Sequence, residues 1–190
     1  MTTLLTRERA TYEDIWGLEA YAAHSPGALH VPLFLDMSHA QMRMSVLDAG
    51  CGSGKGALAL QAAGFDQVTL CDLTPAGLLP EARVFPFVES ALWVDLKRLV
   101  GFHEWVYCCD VLEHIPTPFT MLVVQRLLDV ARRGVFLSIS LQPDHFGVWV
   151  GKPLHQTVQS YLAWREQLAT LATVKESRDL LHTGLYLLEP

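Results

Sequence analysis

No stretch of this 190-residue chain gathers lysine and arginine into the stripe that phosphate neutralisation needs. Its 14 basic residues are outnumbered by 20 acidic ones, for a net charge of -6, which argues against a nucleic-acid partner. No apolar run approaches the ~20 residues required to span a bilayer. The segment Met1 to Ala10 carries charge where a secretory leader has an apolar centre. These two absences predict a soluble, cytoplasmic protein with no membrane span. The four cysteines, Cys51, Cys71, Cys108 and Cys109, include no C-x-x-C pair, so they read as reduced thiols rather than a redox or metal motif. Internal repeats, low-complexity tracts and linkers are also missing, which predicts one domain over residues 1–190.

What the chain does have is hydrophobic content, 51% of its residues, enough for one sizeable core. Apolar runs alternate with helical patterns, as expected of parallel strands joined by crossover helices. Strands are predicted at Ser45 to Ala49, Gln67 to Cys71, Val84 to Val88, Trp105 to Cys109 and Gly134 to Ser140. Helical spacing covers Lys55 to Ala63 and Pro118 to Arg132, and Thr74-Pro75 has the form of a helix N-cap and first position. Gln142 to Pro153 reads as a loop and Thr157 to Leu171 as a helix. Thr173 to Ser177 and Leu185 to Leu188 have no helix between them and predict an antiparallel hairpin. Ahead of the first strand, Thr11 to Ala23 puts Tyr12, Ile15, Trp16, Ala22 and Ala23 on one stripe, predicting a leading helix packed beside the sheet. The fold class is therefore α/β, a Rossmann-like doubly wound sheet, mostly parallel with an antiparallel C-terminal strand.

Three segments carry chemistry. In Val46-Leu47-Asp48-Ala49-Gly50-Cys51-Gly52-Ser53-Gly54 an apolar strand runs into an acid and then into alternate glycines, which allow a tight turn and let a ligand reach the backbone. A P-loop ending in Gly54-Lys55 fails, because it needs Gly at Ala49 and Ser or Thr at Gly56. A dinucleotide fingerprint starting at Gly50 fails at Lys55, although one starting at Gly52 reaches the looser form at Ala57. Asp72 closes the second strand, where a carboxylate can accept both ribose hydroxyls of an adenosine; alone, such an Asp also serves as a loop or helix cap. The third segment is Cys108-Cys109-Asp110-Val111-Leu112-Glu113-His114-Ile115-Pro116, at the end of the fourth strand.

In this order the three segments resemble the class I S-adenosylmethionine-dependent methyltransferases, the D-V-L-E-H-I-P stretch being like that of small bacterial and phage-encoded members. The resemblance covers Val46 to Ser140. It implies an enzyme that transfers the cofactor's methyl group, with a helical segment over 1–44, the cofactor core over 45–140 and an acceptor side over 141–190. It further implies that Asp48 and the backbone of Gly50, Cys51, Gly52 and Gly54 hold the amino-acid end of S-adenosylmethionine. By the same resemblance Asp72 with Leu73 holds the ribose, Asp110, Val111 and Leu112 form the floor beside methionine, and Ala91 and Leu92, with Ser90 and Trp93, flank adenine. Many members carry Asp after the third strand, where this chain has Glu89-Ser90-Ala91. The leading helix resembles the family's extra N-terminal segment, so Tyr12 and Trp16 are read either as covers for the cofactor or as core.

Methyl transfer from a sulfonium needs alignment above all, with a base only where the acceptor must lose a proton. Candidate bases are His114, Asp144, His145 and His155, the last three in or just beyond the loop after the fifth strand; His145 and His155 are the catalytic candidates. A metal site is not expected, because Asp110, Glu113 and His114 do not put two His on one helix face. The acceptor is read as a small molecule or a protein rather than nucleic acid. Two alternatives keep the same cofactor motifs: a non-catalytic S-adenosylmethionine or S-adenosylhomocysteine binder acting as partner or sensor, and an enzyme that cleaves the cofactor.

Overall fold

The computed structural model describes residues 2–23 and 25–190. Its centre is one sheet of β1 (Val46–Ala49), β2 (Val68–Asp72), β3 (Phe87–Glu89), β4 (His103–Cys109), β5 (Ala131–Ser140), β6 (Thr173–Asp179) and β7 (Thr183–Glu189). The strands lie in the order β3-β2-β1-β4-β5-β7-β6. The first five run parallel, and β7 enters antiparallel between β5 and β6. The predicted hairpin is thus present, with residues 180–182 as its turn. The sheet direction of travel reverses between β1 and β4, and this switch point opens a crevice at the carboxyl ends of the strands.

Helices cover both faces. On one lie α3 (Gly27–Ser38) and α4 (Lys55–Ala62), whose Val31, Phe34, Met37 and Leu60 bury against Trp105, Tyr107 and Phe136. Phe34 meets all three of those rings edge-on at 5.4 to 5.9 Å, and Tyr107 stacks on Phe136 at 5.5 Å. On the other face lie α5 (Leu96–Val100), α6 (Thr117–Val130) and α7 (Tyr161–Leu168), with Val123, Val124, Leu127, Trp164 and Leu168 buried beneath them. β6 is an edge strand with a register shift between Val174 and Glu176, and it carries the charged Lys175, Glu176 and Arg178.

Four expectations change. The leading segment is three helices: α1 (Thr2–Trp16), α2 (Glu19–Ala23) and α3. Helix α1 stops at Gly17, whose N–H turns back to the Asp14 carbonyl at 3.1 Å. It packs against α2 and a 3-10 turn at Gly147–Val150 rather than beside the sheet. No helix begins at Thr74-Pro75: the Thr74 hydroxyl accepts from the Ala76 N–H in a local turn, and Pro80, which disfavours helix at Leu79, opens a 3-10 turn over Pro80–Val84 instead. The last helix starts at Tyr161 and not Thr157, because Ser160 is its cap, accepting from the Ala163 N–H at 3.2 Å.

Candidate functional site

A cavity of about 530 Å³ occupies the switch point. Its floor is the turn from β1 into α4. Gly50 (φ 74°) and Gly52 (φ 50°) have left-handed backbone there, and each lacks room for a side chain. A Cβ on Gly50 would stand 2.3 Å from the Val111 side chain, and one on Gly52 2.9 Å from the Trp16 ring. Asp48 lies beneath the turn, 4% exposed. It accepts the Ala57 N–H, while its Oδ2 has no hydrogen-bond partner. Burial, and then the charge of Asp72, push its pKa up to about 7.

Asp72 binds the turn from the neighbouring strand. Its Oδ2 accepts from Gly52 N–H at 2.8 Å, and its Oδ1 from Leu73 and Thr74 at 2.6 and 3.4 Å. Burial raises this carboxyl and the three N–H groups oppose the rise. Beside it Leu73, Ser90, Ala91, Leu92 and Trp93 form an apolar wall. Glu89 turns away from that wall and pairs with Arg9 of α1 at 2.5 Å.

The end of β4 supplies the opposite wall. Asp110 has φ 53°, a left-handed conformation fixed by its N–H to the Ser138 carbonyl (2.8 Å) and by the Ser138 hydroxyl donating to its Oδ1 (3.2 Å). Burial pushes Asp110 up to about 6. Val111, Glu113 and His114 line the cavity with it. Two predicted members do not: Gly54 caps α4 against Ala82, and Leu112 is buried in the core below.

The loop after β5 closes the remaining side of the cavity with Gln142, Pro143, Asp144, His145, Phe146, Leu154 and His155. Asp144 is occupied in folding this loop, accepting N–H bonds from Gly147 (2.5 Å), Leu154 (2.7 Å) and His155 (3.1 Å). His145 is exposed on the rim. The Glu113 carbonyl accepts from Gln156 and Thr157 N–H at 2.7 and 2.9 Å, and Thr157 Oγ1 donates to Ile115. This pairing lays residues 155–157 along 113–115, so that the His155 ring meets His114 edge-on at 4.6 Å. Burial, then the neighbouring His155, lower His114 to about 3, which keeps it neutral.

Helices α1 and α2 also reach the cavity: Tyr12 and Trp16, read from the sequence as covers or core, line it, and so do Glu8 and Tyr21, which sequence reasoning missed. Glu8 is 2% exposed and accepts from Lys152 (3.3 Å) and Gln156 (3.1 Å), clasping α1 to the loop after β5. Trp16 meets Tyr21 edge-on, and Tyr21 in turn meets Phe146. No local signal marks Glu8, because its partners in the loop after β5, Lys152 and Gln156, lie more than 140 residues away.

The wall as a whole is acidic. Glu8, Asp48, Asp72, Asp110, Glu113 and Asp144 line it, and no lysine or arginine does among the described residues. All four cysteines are free thiols, three of them buried. No described helix is long and apolar enough to cross a membrane.

No known protein family and no curated protein matches the chain. Solved structures do. Magnesium protoporphyrin IX methyltransferase from Synechocystis PCC 6803, solved with bound SAM, is 19% identical at a TM-score of 0.64, over 86% of this chain and 78% of that one. A protein from Pyrococcus horikoshii OT3 is 16% identical at 0.65, over 95% of both chains. An O-methyltransferase family protein from Burkholderia thailandensis is 14% identical at 0.63, over 90% of this chain and 58% of that one. The fold they share with this chain is the Rossmann-like class I methyltransferase fold.

Proposed function

We propose that this chain binds S-adenosylmethionine in the cavity and transfers its methyl group to an acceptor held by the loop after β5. The observation that carries the reading is the composition of the wall, which holds carboxyl groups and no lysine or arginine among the described residues, so no such cation is there to neutralise a phosphate. S-adenosylmethionine, with a sulfonium and an ammonium group and no phosphate, suits such a wall better than NAD or ATP does. Structural neighbours solved with bound SAM and with bound SAH support the same ligand.

The residues present fit that cofactor. Asp48 Oδ2 is buried without a partner, and Gly50 and Gly52 line the cavity with left-handed backbone that glycine adopts readily. In this reading Asp48, Gly50, Cys51 and Gly52 receive the amino-acid end, and Asp72 with Leu73 the ribose. Ala91 and Leu92 take the adenine, and Asp110 with Val111 borders the methionine chain. Gly54 and Leu112 act one layer behind, through α4 and the core. The cofactor supplies an activated methyl group; the chain aligns it with the acceptor and excludes water. On the acceptor side His145 and His155 are the imidazoles placed to take a proton.

Calorimetric titration tests this. S-adenosylmethionine binds one to one, and neither NAD nor ATP competes. Asp72→Ala weakens binding about 10- to 100-fold with the circular dichroism spectrum unchanged, the roughly 1.5–3 kcal/mol expected of hydrogen bonds to a charged group. Tight NAD binding with no response to S-adenosylmethionine overturns the reading. A methyl-transfer screen over small molecules and proteins then identifies the acceptor.

A further inference from the structure

Glu113, His114 and His155 each offer one ligand atom, and these atoms lie within 4.8 Å of one another on the cavity wall. Each side chain is held from behind by backbone. Glu113 Oε1 accepts the Ser140 N–H at 2.9 Å, His155 Nδ1 donates to the Gln142 carbonyl at 2.6 Å, and a backbone bond to Leu154 holds the His114 ring. Two further atoms of the cluster are unsatisfied: Glu113 Oε2 and His114 Nδ1 are both buried and have no hydrogen-bond partner. Orphaned acceptors in a protein interior cost free energy, about 1–3 kcal/mol each. Backbone groups that fix the far side of each ligand are the usual outer support of a metal centre.

We propose that Glu113, His114 and His155 bind one divalent transition-metal ion, with its open positions toward the cavity. Two imidazoles and one carboxylate suit Zn²⁺, Co²⁺ or Mn²⁺, whereas Mg²⁺ prefers an all-oxygen shell. Bonds of about 2.1 Å set neighbouring ligand atoms roughly 3.4 Å apart in a tetrahedron, so the imidazoles close in slightly around the ion. The open positions take an oxygen ligand, and this selects an acceptor that carries a hydroxyl, whose proton the ion makes easier to lose. Metal binding stands independently of the cofactor; only the link to the acceptor rests on the function proposed above. His155 then serves as a ligand, leaving His145 as the proton acceptor on that wall.

Co²⁺ titration of chelator-treated protein, followed by visible absorption, reads the site without any activity assay. One equivalent gives the weak bands of a nitrogen and oxygen donor set, Zn²⁺ abolishes them and Mg²⁺ does not. Glu113→Gln, which keeps an acceptor for Ser140, and His155→Ala each weaken uptake at least tenfold, since losing an outer partner alone costs about 10- to 100-fold. His145→Asn leaves uptake unchanged. Failure of the folded wild type to take up Co²⁺ overturns the proposal, as does a preference for Mg²⁺ or uptake that survives both ligand changes. If neither variant folds, the wild-type spectrum still decides, because an intense thiolate band puts the ion on cysteine and overturns it. S-adenosylmethionine calorimetry on the same samples separates the readings: metal without cofactor binding sinks only the methyltransferase, and cofactor without metal binding sinks only the metal site.

Discussion

A carboxyl group buried beside a second carboxyl gives up its proton late, and Asp48 is in that position. Its pKa stands at about 7 against an ordinary value of 3.8. Between those two values the native state holds a proton that the unfolded chain has released. Stability of the ligand-free protein therefore falls as pH rises through this window, by at most about 4 kcal/mol at roughly 1.4 kcal/mol per unit. Asp48→Asn removes this part of the slope. Urea midpoints at about pH 5 and about pH 8 should lie closer together in the variant than in the wild type. Asp72, Asp110 and Glu113, raised in the same direction by burial, retain the rest. An equal difference between midpoints in both proteins shows that Asp48 is not the source.

At this scale the sequence exposes what neighbouring residues decide. Asp48, Gly50, Gly52 and Asp72 stand out because a strand, a tight turn and a strand end each have a local signature. The meeting of Glu113 and His114 with His155 has none, since it is made by N–H bonds from Gln156 and Thr157 to the Glu113 carbonyl. The same holds for Asp144, whose three backbone partners make it a fold-holding residue where spacing offered a base.

Among the elements, α1 is held by side chains rather than by strand pairing. Its ties include Ile15, the ring contacts of Tyr12 with His114 and Trp16 with Tyr21, the Arg9–Glu89 pair and the buried Glu8 with Lys152 and Gln156. Glu8→Ala removes the clasp and leaves Lys152 and Gln156 without their acceptor. Amide exchange over 2–16 should quicken about tenfold, while the urea midpoint of the whole chain moves little, because a local opening does not require the sheet to melt. A shift of the global midpoint without faster exchange in α1 contradicts this. The break at Gly17 and the run into α3 escaped sequence reading for a physical reason. One apolar stripe spans the break, and Pro32 sits inside α3, where helical patterning discourages a helix. The glycine turn and the terminal hairpin were legible, because turn chemistry and the absence of a helical repeat decide them locally.

For the molecule as a whole, the two helical layers stand on one sheet, and Phe34 ties α3 to three strand aromatics at once. Phe34→Ala should cost about 3–5 kcal/mol of unfolding free energy, read from urea melts. S-adenosylmethionine affinity in the folded fraction should stay near the wild-type value, since Phe34 is outside the cavity wall. A cost below about 1 kcal/mol indicates that the layer repacks around the gap. The mostly parallel, doubly wound character of the sheet was legible from alternating strands and helices, whereas the clasp of the leading helices across the crevice was not, because its contacts are long-range.

Both margins of the sheet also bear on how copies of the chain behave when crowded. β3 offers only three residues of open backbone, and β6 is interrupted at Val174 and Glu176 and carries Lys175, Glu176 and Arg178. Short, bent or charged margins are what keep β proteins from extending one another's sheets into aggregates. Neither end of this sheet is a long, flat template for strand-by-strand growth, so the native fold is built to resist edge-to-edge association.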